Sequence, residues 1–375
     1  MLISSAMIIR SLFTSFTDVT LPSGIEEDDL DDEIEDFMSE NDEVDTAVMF
    51  AVFTPVEVIH ETYEGEQNLD EEIDVSRESV FEWGSVTKLL TWISVMQLVE
   101  DDLIDLEGDI TEYLPDEFLD DFEQDDPVTM IHLMNHQGGF RDEIADLFVT
   151  DIPDNYSLEE EIKEHQPDQL YEPGAVTSYS NWGTALAGYI VEELSGQPFY
   201  EYVHENILGP LDMDETALAP DLSDNPEIRE ARADTAGYLP SIPPTAEEQR
   251  HILLYPAGSA VSTLPDLVTF AQALFPSNND TPLFDDRETM ESMFEISQYY
   301  GDTDNPRNAH GFMVTNFDNP VYGHSGNTNA FTSNLLIDIE EDVGYAVMAN
   351  EAQEVTYNFL LPETIFGDYD ASENN

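Results

Sequence analysis

The sequence predicts an α/β (α+β) fold: an antiparallel sheet flanked by helices and built from both ends of the chain, with a mostly helical domain inserted between its halves. Three observations lead there. Strand-like segments cluster near residues 46–65 and again beyond 310. The stretch between them, from about 105 to 250, reads as helices joined by loops rich in Pro, Asp and Gly. Hydrophobic residues are 41% and aromatic residues 10% of 375 positions, enough to fill a substantial interior. The expected organisation is a sheet-containing domain from 25–104 and 251–365, a helical domain over 105–250, an N-terminal segment 1–24 of uncertain order and a tail at 366–375.

Each element has a local reason. "EEDDLDDEIEDFMSE" sets Leu30, Ile34, Phe37 and Met38 on one helical stripe among acids. "TAVMFAVFT" and "VEVIHETYEG" read as two strands joined around Pro55, a hairpin. The apolar segment "VFEWGSVTKLLTWIS" follows as a helix. "PAGSAVSTLPDLVTFAQALF" announces another, with Ser262 or Thr263 as cap and Pro265 in the first turn. Gly258 in that stretch is expected to serve a tight turn. Residues 276–309 read as an acidic surface excursion around one more helix. "HGFMVTNF", "NAFTSNLLIDIE" and "VGYAVMAN" read as strands, the last two joined by a turn at "EDVG".

Charge narrows the function. Ten basic residues face 83 acidic ones, a formal net charge of −73. Nucleic acid and anionic membrane surfaces both need basic patches, so neither is an expected partner. Such self-repulsion strains a compact state in dilute buffer, but at molar salt the Debye length is about 3 Å. The surface therefore reads as adapted to high salt. Cysteine is absent, which removes disulfides, thiol nucleophiles and thiolate metal sites. Acidic runs such as "EEDDLDDE" lack the spacing of an EF-hand loop and read as solvated faces, so no metal and no cofactor is expected. No stretch has the 18 apolar residues of a transmembrane helix. The opening "MLISSAMIIRSLFTSF", with Arg10 in its middle, lacks the parts of a signal peptide. A ragged terminus and a degenerate targeting segment both remain open.

One of only two lysines lies in the apolar helix, three residues after Ser85. Residues i and i+3 share a helix face, so Lys88 is placed beside the Ser85 hydroxyl. An amine among apolar neighbours such as Leu89 and Trp92 has its charge disfavoured, and it then activates a serine that is otherwise a weak nucleophile. With 24 serines and two lysines, chance supplies about 0.13 such pairs. The alternative is a lysine snorkelling from a core helix. "EPGAVTSYSNWG" adds Tyr179, a phenol suited to general base and acid, and Asn181, able to hold the amine. "VYGHSGNTNAF" adds His324 and Gly326 at the head of a strand. Alone these triplets are weak: His136-Gln137-Gly138 repeats the last one. His132 and His136 read as structural histidines, and Trp83, Trp92 and Trp182 as core or pocket lining.

The order Ser-x-x-Lys, Tyr-x-Asn, His-x-Gly resembles the penicillin-recognising serine hydrolases of the class C β-lactamase type. That group includes β-lactamases, D-alanyl-D-alanine carboxypeptidases, D-aminopeptidases and β-lactamase-like esterases. "VTMIHLMNHQGGF" and "YPAGSAVSTLPDLVTFAQAL" extend the likeness, which runs from about residue 25 to 360. The resemblance implies a β-lactamase/transpeptidase-like fold with the site between its two domains. It implies Ser85 as acylated nucleophile, Lys88 as its activator and Tyr179 as base. Asn181, His324, Gly326 and Asn327 would bind substrate, with the N–H groups of Ser85 and Asn327 forming an oxyanion hole.

Two departures bear on substrate. His324 stands where the true β-lactamases carry lysine, which ranks ester and amide (peptide) substrates above lactams. "NHQGG" replaces the usual His-Thr-Ser-Gly turn around His136. The expected partner is thus a small-molecule or short-peptide ester or amide. A non-catalytic binding or sensory module is the alternative, and a true β-lactamase the second. Export is slightly favoured by the resemblance, without a clear signal in the sequence.

Overall fold

The computed structural model describes residues 20–369 except 42–45, 120, 121, 123, 142–146, 242 and 302. Expectations for the opening segment and the tail fall largely outside the described residues. Strands β1 (Val48–Phe53) and β2 (Val58–Glu64) form the foreseen hairpin. They join β3 (Ile296–Tyr299), β4 (Pro306–Ala309), β5 (Met313–Asn316), β6 (Pro320–Asn327), β7 (Thr332–Asp338) and β8 (Val343–Ala349) in one sheet. Its order is β3-β4-β5-β6-β7-β8-β1-β2, with every neighbour antiparallel. Early and late parts of the chain meet next to the β2 edge, where Val48 of β1 pairs with Ala349 of β8 and Phe53 with Gly344.

β1 and β8 are buried along their whole length, which is why they read as unbroken apolar runs. Side-chain alternation sends their residues to two different cores. Val48, Phe50 and Val52 meet Leu30 and Ile34 of helix α1 (Glu27–Asn41) together with a short C-terminal helix at Leu361–Phe366. Met49, Ala51 and Phe53 face the opposite layer, in which helix α4 (Leu264–Ala273) packs directly on β1 and β8, helix α2 (Lys88–Glu100) lies against β6, and helix α3 (Asn181–Ser195) packs behind α2. α4 starts as anticipated: Thr263 caps it by accepting from the Asp266 N–H, with proline in the first turn.

Three readings need correction. The stretch 105–250 holds several short helices, such as Met130–Met134 and Leu158–Glu164, between long irregular connections. It is also stitched to the rest by strand pairs, Phe148–Val149 with His251–Ile252 and Thr216–Ala217 with Val261–Ser262. Residues 276–309 are more than a surface excursion, since they supply β3 and β4; "ISQY" and "PRNA" are too short and polar to show a period of two. Finally, His324 and Gly326 lie near the C-terminal end of β6 and not at its head, a strand that its proline and two glycines disguise.

Candidate active site

Ser85 sits on a single 3-10 turn, Gly84–Thr87, that leads into α2. Gly84 has φ +48°, and a Cβ there would lie 2.9 Å from the Asn327 amide nitrogen, so glycine is required by both conformation and space. α2 is apolar nearly all round, and Lys88 at its start is fully buried. A desolvated ammonium is tolerable only when its protons find acceptors. Lys88 Nζ donates to Ser85 Oγ at 3.1 Å, Asn181 Oδ1 at 2.7 Å and the Ala257 carbonyl at 2.6 Å. It also lies 4.9 Å from the centroid of the Tyr179 ring. A snorkelling lysine would reach solvent, and this one does not.

One face of α3 holds this amine in place. Asn181, Gly188 and Glu192 are spaced by seven and four residues, so they align along the helix. Asn181 meets Lys88. Gly188 makes room for Pro256, whose ring lies 2.5 Å from where a Cβ would stand. Glu192 Oε1 accepts from Tyr255 Oη at 2.9 Å. Tyr255, Pro256 and Ala257 form the 3-10 turn that aims the Ala257 carbonyl at Lys88. That carbonyl was invisible in the sequence, since every residue carries one. Gly258 closes the turn, its N–H donating to Tyr255 O at 3.1 Å.

Tyr179 precedes α3, whose cap Ser180 accepts from the Gly183 N–H at 2.9 Å. The Tyr179 hydroxyl donates to Ser85 Oγ at 2.8 Å. The His136 ring packs against the Tyr179 ring with centroids 4.3 Å apart, and its Nδ1 accepts from the Ser180 N–H at 3.3 Å. Burial, reinforced by the Lys88 charge, holds the His136 pKa well below the ordinary histidine value. His136 is thus a neutral prop, as expected, with the added task of seating the phenol. His132 takes part in a capping box with Thr129. Trp83 and Trp92 are core residues; Trp182 is also buried, and donates to the Ile162 carbonyl.

The end of β6 completes the cluster. A Cβ on Gly326 would fall 2.0 Å from the Trp83 carbonyl oxygen and 3.0 Å from the Ser85 amide nitrogen. Only glycine lets the strand lie this close to the serine turn, which puts the backbone of Asn327 beside that of Ser85. His324 is buried, and its Nδ1 lies 2.6 Å from the Ser325 carbonyl. Desolvation, then the Lys88 charge, lowers its pKa to about 3. Beside Asn181, a cleft of about 230 Å³ is lined by Trp182, His165, Pro167, Leu253 and Leu254.

All seven residues singled out in the sequence, Ser85, Lys88, Tyr179, Asn181, His324, Gly326 and Asn327, therefore lie in one neighbourhood. A serine oxygen within hydrogen-bonding reach of both an amine and a phenol, with backbone amides alongside, is an arrangement fit for nucleophilic acyl transfer.

Comparison with known proteins agrees with the architecture. The Beta-lactamase family model matches residues 30–366. Protein flp of Staphylococcus aureus (strain MRSA252) is 23% identical over 291 residues, 76% of this chain and 56% of that protein. Penicillin-binding protein 4* of Bacillus subtilis (strain 168) is 23% identical over 315 residues, 78% of this chain and 65% of the relative. The chain thus spans less than two thirds of these relatives. The D-amino acid amidase from Ochrobactrum anthropi SV3 complexed with D-phenylalanine superposes with a TM-score of 0.72 at 21% identity, over 90% of this chain and 97% of the other. The octameric penicillin-binding protein homologue from Pyrococcus abyssi gives 0.71 at 21% identity, over 92% and 78%. At such identities the likeness to these structures speaks for the fold: the mixed α/β architecture of the β-lactamases and penicillin-binding proteins. Since the family model takes in nearly every described element of sheet and helix, the chain belongs to the Beta-lactamase family.

Proposed function

We propose that the protein is a serine hydrolase that cleaves an ester or amide bond through an acyl-enzyme on Ser85. The observation that carries this reading is the double contact on Ser85 Oγ, 3.1 Å from Lys88 Nζ and 2.8 Å from the Tyr179 hydroxyl. The phenol and amine act as a coupled pair, and the reactive form is the one that has given up a proton. As Ser85 Oγ bonds to the substrate carbonyl carbon, its proton passes to this pair. The negative oxygen that results lies against the N–H groups of Ser85 and Asn327, each such donor being worth about 3 kcal/mol. Collapse breaks the bond to the leaving group, which takes the proton from Tyr179. Water then repeats the sequence, giving its proton to the pair and releasing the acid. Asn181 and the Ala257 carbonyl keep the amine pointed at the serine throughout.

A binding module of the same fold has no use for a buried lysine in contact with both serine and phenol, which favours the enzyme reading. Incubation in high salt with a fluorophosphonate probe and a chromogenic short-chain ester tests it. Wild type is expected to be labelled and to turn over ester, and Ser85→Ala to do neither. A folded wild type that neither reacts nor turns over would return the assignment to a binding role.

A further inference from the structure

A lysine ammonium carries three protons, and the free amine carries two protons and a lone pair. Lys88 Nζ has three acceptors within reach: Ser85 Oγ at 3.1 Å, Asn181 Oδ1 at 2.7 Å and the Ala257 carbonyl at 2.6 Å. The last two are the nearer. When both take a proton from the free amine, its lone pair is left facing Ser85 Oγ, where a base needs it. The carbonyl does this only while its turn is held in place.

The turn Tyr255–Ala257 is anchored from two helices. Thr91 of α2 donates through Oγ1 to the Pro256 carbonyl at 2.8 Å. The buried Tyr255 side chain donates its hydroxyl to Glu192 Oε1 of α3 at 2.9 Å. That oxygen also accepts from the Phe199 N–H at 2.8 Å. Burial raises the Glu192 pKa in spite of these two bonds, so keeping a carboxylate there is costly. Asn181 and Glu192 are about 16 Å apart along α3. One helix therefore fixes both of the amine's nearer acceptors, Asn181 directly and Ala257 by way of Tyr255.

We propose that Glu192, acting through Tyr255, is a positioning residue that sets the Ala257 carbonyl and so aims the Lys88 lone pair at Ser85. It works by placement and not by its charge, which lies a helix length from the amine. This inference rests on the serine-hydrolase reading. The competing role is purely structural: Glu192 would only tie down the start of the short helix Phe199–Val203. Tyr255→Phe separates the two, because it cuts the link to the turn and leaves the bond from Phe199. The phenylalanine ring keeps the packing against Tyr156, Phe199 and Tyr200.

The test is the rate of fluorophosphonate labelling of Ser85 against pH, in high salt, with the unfolding midpoint measured alongside. A displaced carbonyl leaves the Lys88 ammonium short of an acceptor, which disfavours the charged form. In Tyr255→Phe the acidic limb of the profile is therefore expected to move to lower pH by about one unit. The plateau should fall about tenfold, since the lone pair is no longer aimed. Glu192→Ala should do the same. Glu192→Gln keeps an oxygen acceptor and should return both quantities toward wild type. The other titratable groups near Lys88, namely Tyr179, His136 and His324, stay in every variant. A second readout needs no labelling of the serine. The chain has only two lysines, so ¹³Cε-lysine labelling gives two signals, and Lys163→Arg assigns them. The Lys88 signal should titrate about one pH unit lower in Tyr255→Phe than in wild type. Unchanged profiles in Tyr255→Phe and Glu192→Ala, with wild type labelling normally, would overturn the inference and leave the hydrolase standing. A shift in Glu192→Gln as large as in Glu192→Ala would make charge the cause and overturn it as well. Folded wild type that never labels would remove both.

Discussion

The Tyr179 hydroxyl hydrogen-bonds to Ser85 Oγ at 2.8 Å across 94 residues of sequence. The serine turn and the phenol belong to different parts of the chain, so the contact depends on how those parts are packed. His136 supports one side of it, through ring packing and the hydrogen bond from Ser180. Tyr179→Phe keeps the ring on His136 and removes only the oxygen. Ester turnover should fall by about 10²–10⁴-fold, with stability changed by no more than about 1 kcal/mol. Parallel measurement of kcat and of the unfolding midpoint separates the two effects. Turnover that survives unchanged would place the proton transfer on Lys88 alone.

Gly326→Ala asks whether β6 must touch the serine turn. The added methyl would meet the Trp83 carbonyl at 2.0 Å, a contact with backbone that no side-chain rotation relieves. The strand has to withdraw, carrying Asn327 with it. Overpacking of this kind costs about 1–3 kcal/mol, and the loss of one oxyanion donor about 10²–10³-fold in kcat. Chemical denaturation and fluorophosphonate labelling rates should both register the change. An alanine variant that labels at the wild-type rate would show that the strand's position is not needed.

Acid should destabilise the fold through His324. Unfolded, the ring takes a proton near 6.5; folded, only near 3. Between those values the unfolded chain binds the extra proton, so its contribution is complete above about pH 6.5 and lost as pH falls toward 3. By about pH 5 the loss is about 2 kcal/mol. His136 shifts in the same direction, whereas burial raises Asp266 to about 6 and acts in the opposite sense. The informative quantity is therefore the difference between wild type and His324→Gln, measured by unfolding at constant high salt. Parallel pH profiles for the two proteins would contradict the assignment.

The expected dependence of stability on salt can be measured directly. With a net charge of −73, the folded chain should lose stability steeply as ionic strength drops below roughly molar, where the screening length grows past about 3 Å. Circular dichroism melts across a potassium chloride series should show the midpoint rising with salt. A flat series would mean that the surface acids are paired or spaced well enough to do without screening.

Local signals in the sequence were read well because their physics is local. The Leu30–Ile34 stripe, the Thr263 cap and the two strands joined at the "EDVG" turn each depend on neighbours close along the chain. Ser85 and Lys88 were legible for the same reason, lying one helical turn apart. Tyr179 and His324 came from motif resemblance, since nothing in spacing alone could bring them together. What stayed hidden was carried by backbone or by distant packing. The Ala257 carbonyl has no sequence signature, and Glu192 reads as one more acid until Tyr255 is seen against it. β3 and β4 were missed because both are four-residue, polar strands without a clear period of two, and β3, at the edge, needs only one partner.

The pairing of β1 with β8 governs how the protein can be made. As the chain leaves the ribosome, β1 and β2 emerge early, yet the partner that fills the other flank of β1 is the last of the described strands to be synthesised. Until then the hairpin offers an open hydrogen-bonding edge with apolar side chains on both surfaces, a template for wrong association. A nascent chain stalled anywhere before residue 343 therefore has no way to close its sheet, and the crowd of carboxylates along it, by keeping one such chain away from the next, is the natural guard during that wait.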